Sequence, residues 1–433
     1  MTARAVTQKV TSVKNRFLHA LLHAPVVFLT ALALGGCGAL PGVGGDSTTT
    51  VTVWLMRDSA SDDFIKRFTE TFEKEHRSVR LDVRIQEWTG VGQKVSAALK
   101  AGEAPDVIEV GNTQVSQYAA SGGLLDLTLE SLRDWGSADW LPGLAEPGRV
   151  DGVQYGIPWY AANRVVIYHK DLFRAAGITR APRSRAEWLS DTEKLNTGAT
   201  QGIYLAGQDW YTLAGFVWDE GGELAQESAG EWTGTLDTPA ALRGMDFYRR
   251  LQALGNGPKN ADEATPPQAE VFARGGVAQI IAVPGTAKAI QKANPALAGK
   301  LGYFPVPGKT AAAPGAVFTG GSDLIVPKRS AHRTEAVEVV KALAGEKWQR
   351  DLAAAMSYVP NKPALAAAVE NQAGAAAMAR GAARGRATPN SPQWAAVEAD
   401  NPIKPYMTAV LTGADPRTAA RTASARISSL LFP

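Results

Sequence analysis

Groups able to make or break covalent bonds are few in this 433-residue chain. Beyond residue 36 the histidines are His76, His169 and His332, too widely spaced for metal-ligand geometry. Neither a Gly-x-Ser-x-Gly elbow nor a His-Glu-x-x-His pair occurs. A Ser-His-Asp triad is not excluded by spacing, yet no motif points to one. What the chain offers instead is material for gripping a polar molecule. All 11 tryptophans lie past residue 36, and flat rings beside carboxylates and side-chain amides suit a ligand with both hydroxyls and apolar faces. Asp58, Glu87 with Trp88, Asn112 and Gln114 are of these types.

The elements that must position them alternate. A β-rich run over 51–55 is followed by Phe64, Ile65, Phe68 and Phe72 at helical spacing, behind Asp62 and Asp63, which suit a helix start. The order repeats as a strand over 79–85, a helix over 91–100, a strand over 106–110 and a helix over 114–120. Such βαβα alternation predicts an open, mostly parallel α/β sheet covered by helices. Ligands of that architecture bind beyond the carboxyl ends of the strands, and Asp58, Glu87, Asn112 and Gln114 all follow those ends. Asn112 and Gln114 have an alternative role, capping the helix behind them, and Asp58 one as a turn residue.

The amino-terminal 36 residues read as a leader. Arg4, Lys9, Lys14 and Arg16 face no acidic residue there, and they precede an 11-residue apolar run over 24–34. A membrane-spanning helix needs about 20 residues, so this is the core of a signal peptide. Small residues lead into Cys37, the only cysteine, so no intramolecular disulfide can form. The pattern resembles the lipobox of bacterial lipoproteins, which implies a lipid on Cys37 and a location on the outer face of the cytoplasmic membrane. A Gly, Pro, Ser and Thr tether runs to residue 50. Without the leader the chain has 41 basic and 42 acidic residues, a net −1 against +3 overall, which argues against nucleic acid as a partner.

A second unit opens with a strand over 165–168. It continues with helices over 185–195, 211–220, 239–254 and 267–274 and strands over 203–206 and 277–283. A strand over 324–326 then precedes a helix with the stripe Ala336, Val339, Val340 and Leu343. The Ala-rich stretch over 364–387, with Arg380, Arg384 and Arg386, reads as a helical surface with a solvated basic face.

Several motifs carry a resemblance that spans nearly the whole mature chain. They are Val51-Thr-Val-Trp-Leu, Gly102-Glu-Ala-Pro-Asp-Val-Ile, Ile167-Tyr-His-Lys-Asp-Leu-Phe within 155–173, Trp218-Asp-Glu-Gly-Gly, Phe272-Ala-Arg-Gly-Gly-Val-Ala and Gly320-Gly-Ser. In this order they resemble the solute-binding lipoproteins of bacterial ABC importers for di- and oligosaccharides. One departure is His169, where the family usually has Asn.

The resemblance implies a two-lobe periplasmic-binding-protein-like α/β fold, each lobe a mostly parallel sheet flanked by helices, with hinge crossings near 159–165, 318–324 and 358–362. It places an N-lobe at 51–160 and 320–358 and a C-lobe at 161–319 and 359–433. It further implies a monomer, no cofactor and no metal, an oligosaccharide ligand, membrane permease subunits as partners and no catalysis. Ligand contacts are expected from Trp159 and Tyr160 at the first crossing, from Asp209, Trp210 and Tyr211, from Gly320 and Gly321, and from Trp394 in a covering loop. Trp54, Trp135, Trp140, Trp188, Trp218, Trp232 and Trp348 are assigned to packing. The stretches Gln86-Glu-Trp-Thr-Gly and Gly207-Gln-Asp-Trp-Tyr are similar to chitobiose-type binders. The residue types alone leave open an exported glycoside hydrolase, which would need paired carboxylates, and a surface glycan-binding protein without transport.

Overall fold

Residues 48–432 are described by a computed structural model, so the leader, Cys37 and most of the tether lie outside the described residues. Strand β1 (Thr49–Met56) takes in the last two residues expected of the tether. Its alternation buries Val51, Val53 and Leu55. Helix α1 (Asp62–Glu75) starts at Ser61, whose hydroxyl accepts the Phe64 amide; it buries the stripe Phe64, Phe68 and Phe72, of which Phe64 and Phe68 pack edge-on to Trp348. Strand β2 (Val79–Gln86), helix α2 (Val91–Ala101) and strand β3 (Val107–Gly111) follow in the expected order. Both β2 and β3 lie parallel to β1.

Strand β4 (Ile157–Asn163) belongs to this first sheet, and after Arg164 the chain enters strand β5 (Val165–His169) of a second sheet. There β5 lies between β6 (Gln279–Ala282) and β7 (Leu301–Pro305). The chain returns through β8 (Val317–Ile325) and leaves again through β9 (Val359–Pro360). Strand β10 (Gly385–Arg386) pairs with the start of β8. The first sheet runs β9-β4-β8-β3-β1-β2.

The three expected hinge crossings are therefore neighbouring strands. Gly320 faces Ala162 and Gly321 faces Ala161 across β8 and β4, and Val359 of β9 faces Ala161 from the other side. Strand β4, which leaves the N-lobe, and β8, which returns to it, run antiparallel, and β9 is antiparallel to β4 although both lead out of the N-lobe. The expected mostly parallel character is confined to β1, β2 and β3 and to the short β8–β10 pair. Strand β8 is antiparallel to β3 and β4, and the second sheet is antiparallel throughout.

Other expectations are corrected too. The strand over 203–206 reduces to a single parallel bridge between Tyr204 and Ile280. Strand β8 starts seven residues before the expected 324, because Gly320 and Gly321, which read as a break, sit inside it. The stretch over 364–387 is solvated only on its basic face, where Arg380, Arg384 and Arg386 are exposed as expected. Its helix, Ala373–Ala382, buries Ala375, Ala377, Met378 and Ala382, while Arg384 pairs with Asp219 and Arg386 with Glu223.

Separate apolar cores serve the two lobes, one around Phe64, Phe68, Phe72 and Trp348 and the other around Trp188, Phe216, Phe247 and Phe304. A third cluster joins Leu144, Ala161, Val165, Ile280, Val359 and Met378 beneath the crossings. His169 accepts the Asp171 amide through Nδ1 at 3.2 Å and so caps the helix Lys170–Ala175, a service the Asn usual in the family can also perform.

Candidate functional site

The parallel strands β1, β2 and β3 deliver Arg57, Asp58, Glu87, Trp88 and Asn112 to one edge. Arg57 pairs with Glu87 at 2.5 Å, and both are exposed, so the pair adds little to stability. Asp58 holds a left-handed φ of 65°. Trp88 leaves 42% of its surface exposed, which makes it the large aromatic ring presented at this rim. Gln114 accepts the Tyr118 hydroxyl at 3.1 Å. Asn112 is buried and caps nothing; its amide donates to the Thr319 carbonyl at 2.9 Å. It thereby ties the end of β3 to the returning crossing.

On the other side of the crossings Arg164, between β4 and β5, is the organising group. Its guanidinium lies 3.5 Å from Asp209 and 2.5 Å from Glu263, and its centre sits 5.0 Å from the middle of the Tyr211 ring. Asp209 caps the helix Trp210–Asp219, accepting the Thr212 amide at 3.3 Å and hydroxyl at 2.7 Å. Burial pushes the Asp209 carboxyl up, and Arg164 pulls it back down. The Tyr211 ring, half-buried, stacks on Phe318 of β8 with centroids 4.2 Å apart.

Nearer β9, Tyr160 stacks on Tyr358 with centroids 4.1 Å apart and planes 8° from parallel. The Tyr358 hydroxyl donates to the Asp58 carbonyl at 3.1 Å. Tyr160, Asp58 and Tyr358 thus form one patch across β1, β4 and the approach to β9.

The tryptophans expected to hold ligand from loops lie elsewhere. Trp159 is inside β4, fully buried against the N-lobe core. Tyr160 lies in the same apolar cluster, at a register shift in the β4–β8 ladder, with its ring 5.3 Å from that of Trp159. Trp210 is the first residue of its helix and is buried in the C-lobe core. Trp394 opens the helix Trp394–Asp400 rather than riding in a loop, and its indole donates to Glu398 one turn on, at 3.0 Å. It is fully buried, so in this conformation it covers nothing.

Side chains of Asp209, Tyr211 and Phe318, beside Gly320, thus gather around Arg164, and Asp58 and Tyr160 gather around Tyr358. The lobes also touch directly. Ser116 donates to the Ser391 carbonyl at 3.2 Å, Asn390 to the Arg149 carbonyl at 2.7 Å, and Thr113 hydrogen-bonds Glu398, whose carboxyl burial lifts to about 7. Sequence reasoning missed Arg164, Glu263, Tyr358 and Glu398. A lone Arg between two strand runs was the available signal for the first; the others had none. Among the described residues no cluster of His, Cys, Asp and Glu could hold a metal ion, and no helix is long and apolar enough to cross a membrane.

Two α/β lobes joined by three adjacent crossings, with ring and carboxylate groups gathered where they meet, define a hinged binding protein. A family model described as bacterial extracellular solute-binding protein matches residues 58–350, and the chain belongs to that family. It is 39% identical over 386 residues to the diacetylchitobiose binding protein DasA of Streptomyces coelicolor, covering 89% of this chain and 90% of that one. Its fold matches the sugar-binding protein MalE of Xanthomonas citri with a TM-score of 0.80 at 24% identity, covering 88% of this chain and 97% of that one. It also matches the GacH receptor of Streptomyces glaucescens, solved unliganded and with acarbose, with a TM-score of 0.71 at 26% identity, covering 89% and 98%.

Proposed function

We propose that this chain is the extracytoplasmic capture component of an ABC importer for a neutral di- or oligosaccharide, with N,N'-diacetylchitobiose the foremost candidate. It hands the sugar to membrane permease subunits and does not hydrolyse it. The observation that carries this reading is the convergence of stacked rings and fixed hydrogen-bonding groups on the crossings, where a ligand touches both lobes. Such a ligand has more contacts in the closed form and so shifts the equilibrium toward it. The identity to a protein named for diacetylchitobiose supports the choice of sugar.

Calorimetric titration of the mature domain with N,N'-diacetylchitobiose, cellobiose, maltose and trehalose tests it. Diacetylchitobiose is expected to bind tightest, and heat from none of the four would overturn the reading. Tyr211→Ala should weaken binding by about 1–3 kcal/mol, as for a buried aromatic anchor. Trp232→Ala, in the hairpin strand Glu231–Gly234, should leave it unchanged. Release of monosaccharide over hours would instead favour a hydrolase.

We further propose that Cys37 carries the lipid. Cys37→Ser should move the protein from the membrane fraction to the soluble one. A protein still wholly in the membrane fraction would exclude the anchor. The lipid needs two or more chains, since one gives only marginal attachment.

A further inference from the structure

The centre of the first sheet buries a carboxyl that gripping a sugar does not require. Glu109, on β3, has no exposed surface. Its Oε2 accepts the Met56 amide at 2.6 Å. Its Oε1 faces the hydroxyls of Ser322 at 2.6 Å and Tyr160 at 3.2 Å. Those two hydroxyls are 3.1 Å apart, and the Tyr160 oxygen lies 3.0 Å from Ser59 Oγ. Ser322 belongs to β8, Tyr160 to β4 and Ser59 to the turn that carries Asp58. With Tyr160 stacked on Tyr358, all three crossings touch this one network.

A hydroxyl has one proton to donate, so the direction of the bonds depends on whether Glu109 carries a proton. With Glu109 ionised, Ser322 and Tyr160 both donate to Oε1 while the Met56 amide holds Oε2. With a proton taken from solvent onto Oε1, Glu109 donates to Ser322, Ser322 to Tyr160, and Tyr160 to Ser59. Binding one proton thus reverses the bond between β3 and β8, releases the one between β3 and β4, and adds a donor to the Asp58 turn.

We infer that Glu109 is a positioning residue of the hinge, and that gain or loss of its one proton changes how β4 and β8 are held and so shifts the balance between open and closed lobes. Burial raises this carboxyl from 4.5 to about 7, against the pull of its donors. The titratable groups facing it are Tyr160 from β4, Tyr358 beside β9 and, beyond Tyr358, Asp58. On β8 the neighbouring Asp323 is also buried but sits beside Gly148 and Gly156, away from Ser322. The consequence for ligand rests on the hinge reading above; the proton exchange itself needs no sugar.

The test is therefore made without sugar. Donor and acceptor dyes on Lys66→Cys and Glu231→Cys, exposed positions of the two lobes, report lobe separation in the mature chain carrying Cys37→Ser. Between about pH 5.5 and 8.5, energy transfer should change in a transition that includes a one-proton step with a midpoint near 7. Glu109→Gln should abolish that step, and Glu398→Gln should retain it. Ser322→Ala removes a donor that favours the charged form and should move the midpoint up by about one pH unit. No change in transfer across this range, a step that survives Glu109→Gln, or an unmoved midpoint in Ser322→Ala overturns the inference. If Glu109→Gln fails to fold by circular dichroism, the Ser322→Ala midpoint decides. Failure of every sugar to bind would count against the proposed function and leave this result standing.

Discussion

Arg164→Met should cost about 3–5 kcal/mol of stability, because it leaves the buried Asp209 carboxyl facing the partly exposed Glu263 without their shared cation. Arg164 is the one group that joins Asp209, Glu263 and the Tyr211 ring, so its loss acts on the fold and the site together. Deprived of the guanidinium, Asp209 keeps only its Thr212 donors, and burial then raises its carboxyl further. The sign follows from linkage: a carboxyl held above its unfolded value contributes stability that is present at low pH and is lost as pH rises through the folded value. The defect should therefore be largest near pH 8 and partly repaired near pH 5. Urea unfolding at both pH values measures this, and sugar affinity should fall at least tenfold in protein that remains folded. Arg164→Lys, which keeps a charge but loses the planar fork, should fall between. Equal urea midpoints for Arg164→Met and the parent would show that the cluster holds no such energy.

The N-lobe was the more legible half because its elements are local. Phe64, Phe68 and Phe72 repeat at helical spacing, and Val51, Val53 and Leu55 at strand spacing, so α1 and β1 were plain from composition and period. Strand direction was not, since it depends on how the chain returns between lobes, which no local pattern records. The same holds for the site. Loop ends of parallel strands are predictable, and Asp58, Glu87 and Asn112 do sit there. Tryptophans are harder, because Trp159, Trp210 and Trp394 each lie at an element's start or interior, where burial wins over display. Glu109 carried a faint signal, a charge inside the apolar run Val107, Ile108 and Val110, and only the tertiary fold supplies the reason for it.

Gly321→Ala should be the most damaging single change at the crossings. Gly321 has φ 146°, a region side chains rarely enter, and an added Cβ would run into the Tyr160 carbonyl oxygen on β4. That neighbour is backbone, fixed by the ladder from Thr319↔Asn163 to Ser322↔Tyr160, so no rotamer change relieves the clash. Backbone strain and overpacking each cost about 1–3 kcal/mol, which together approach the whole stability of many domains. Gly320→Ala is the matched control. Its Cβ would meet the movable Phe318 ring at 3.2 Å and the Ala162 carbonyl at 3.3 Å, so the loss should stay near about 1 kcal/mol. The damage in Gly321→Ala should also reach function, because the next residue, Ser322, supplies the hydroxyl that meets Glu109. Thermal unfolding of the two variants side by side is the measurement. A Gly321→Ala midpoint no lower than that of Gly320→Ala would mean that β4 and β8 can separate at no cost, and that the hinge is not held by this close backbone contact.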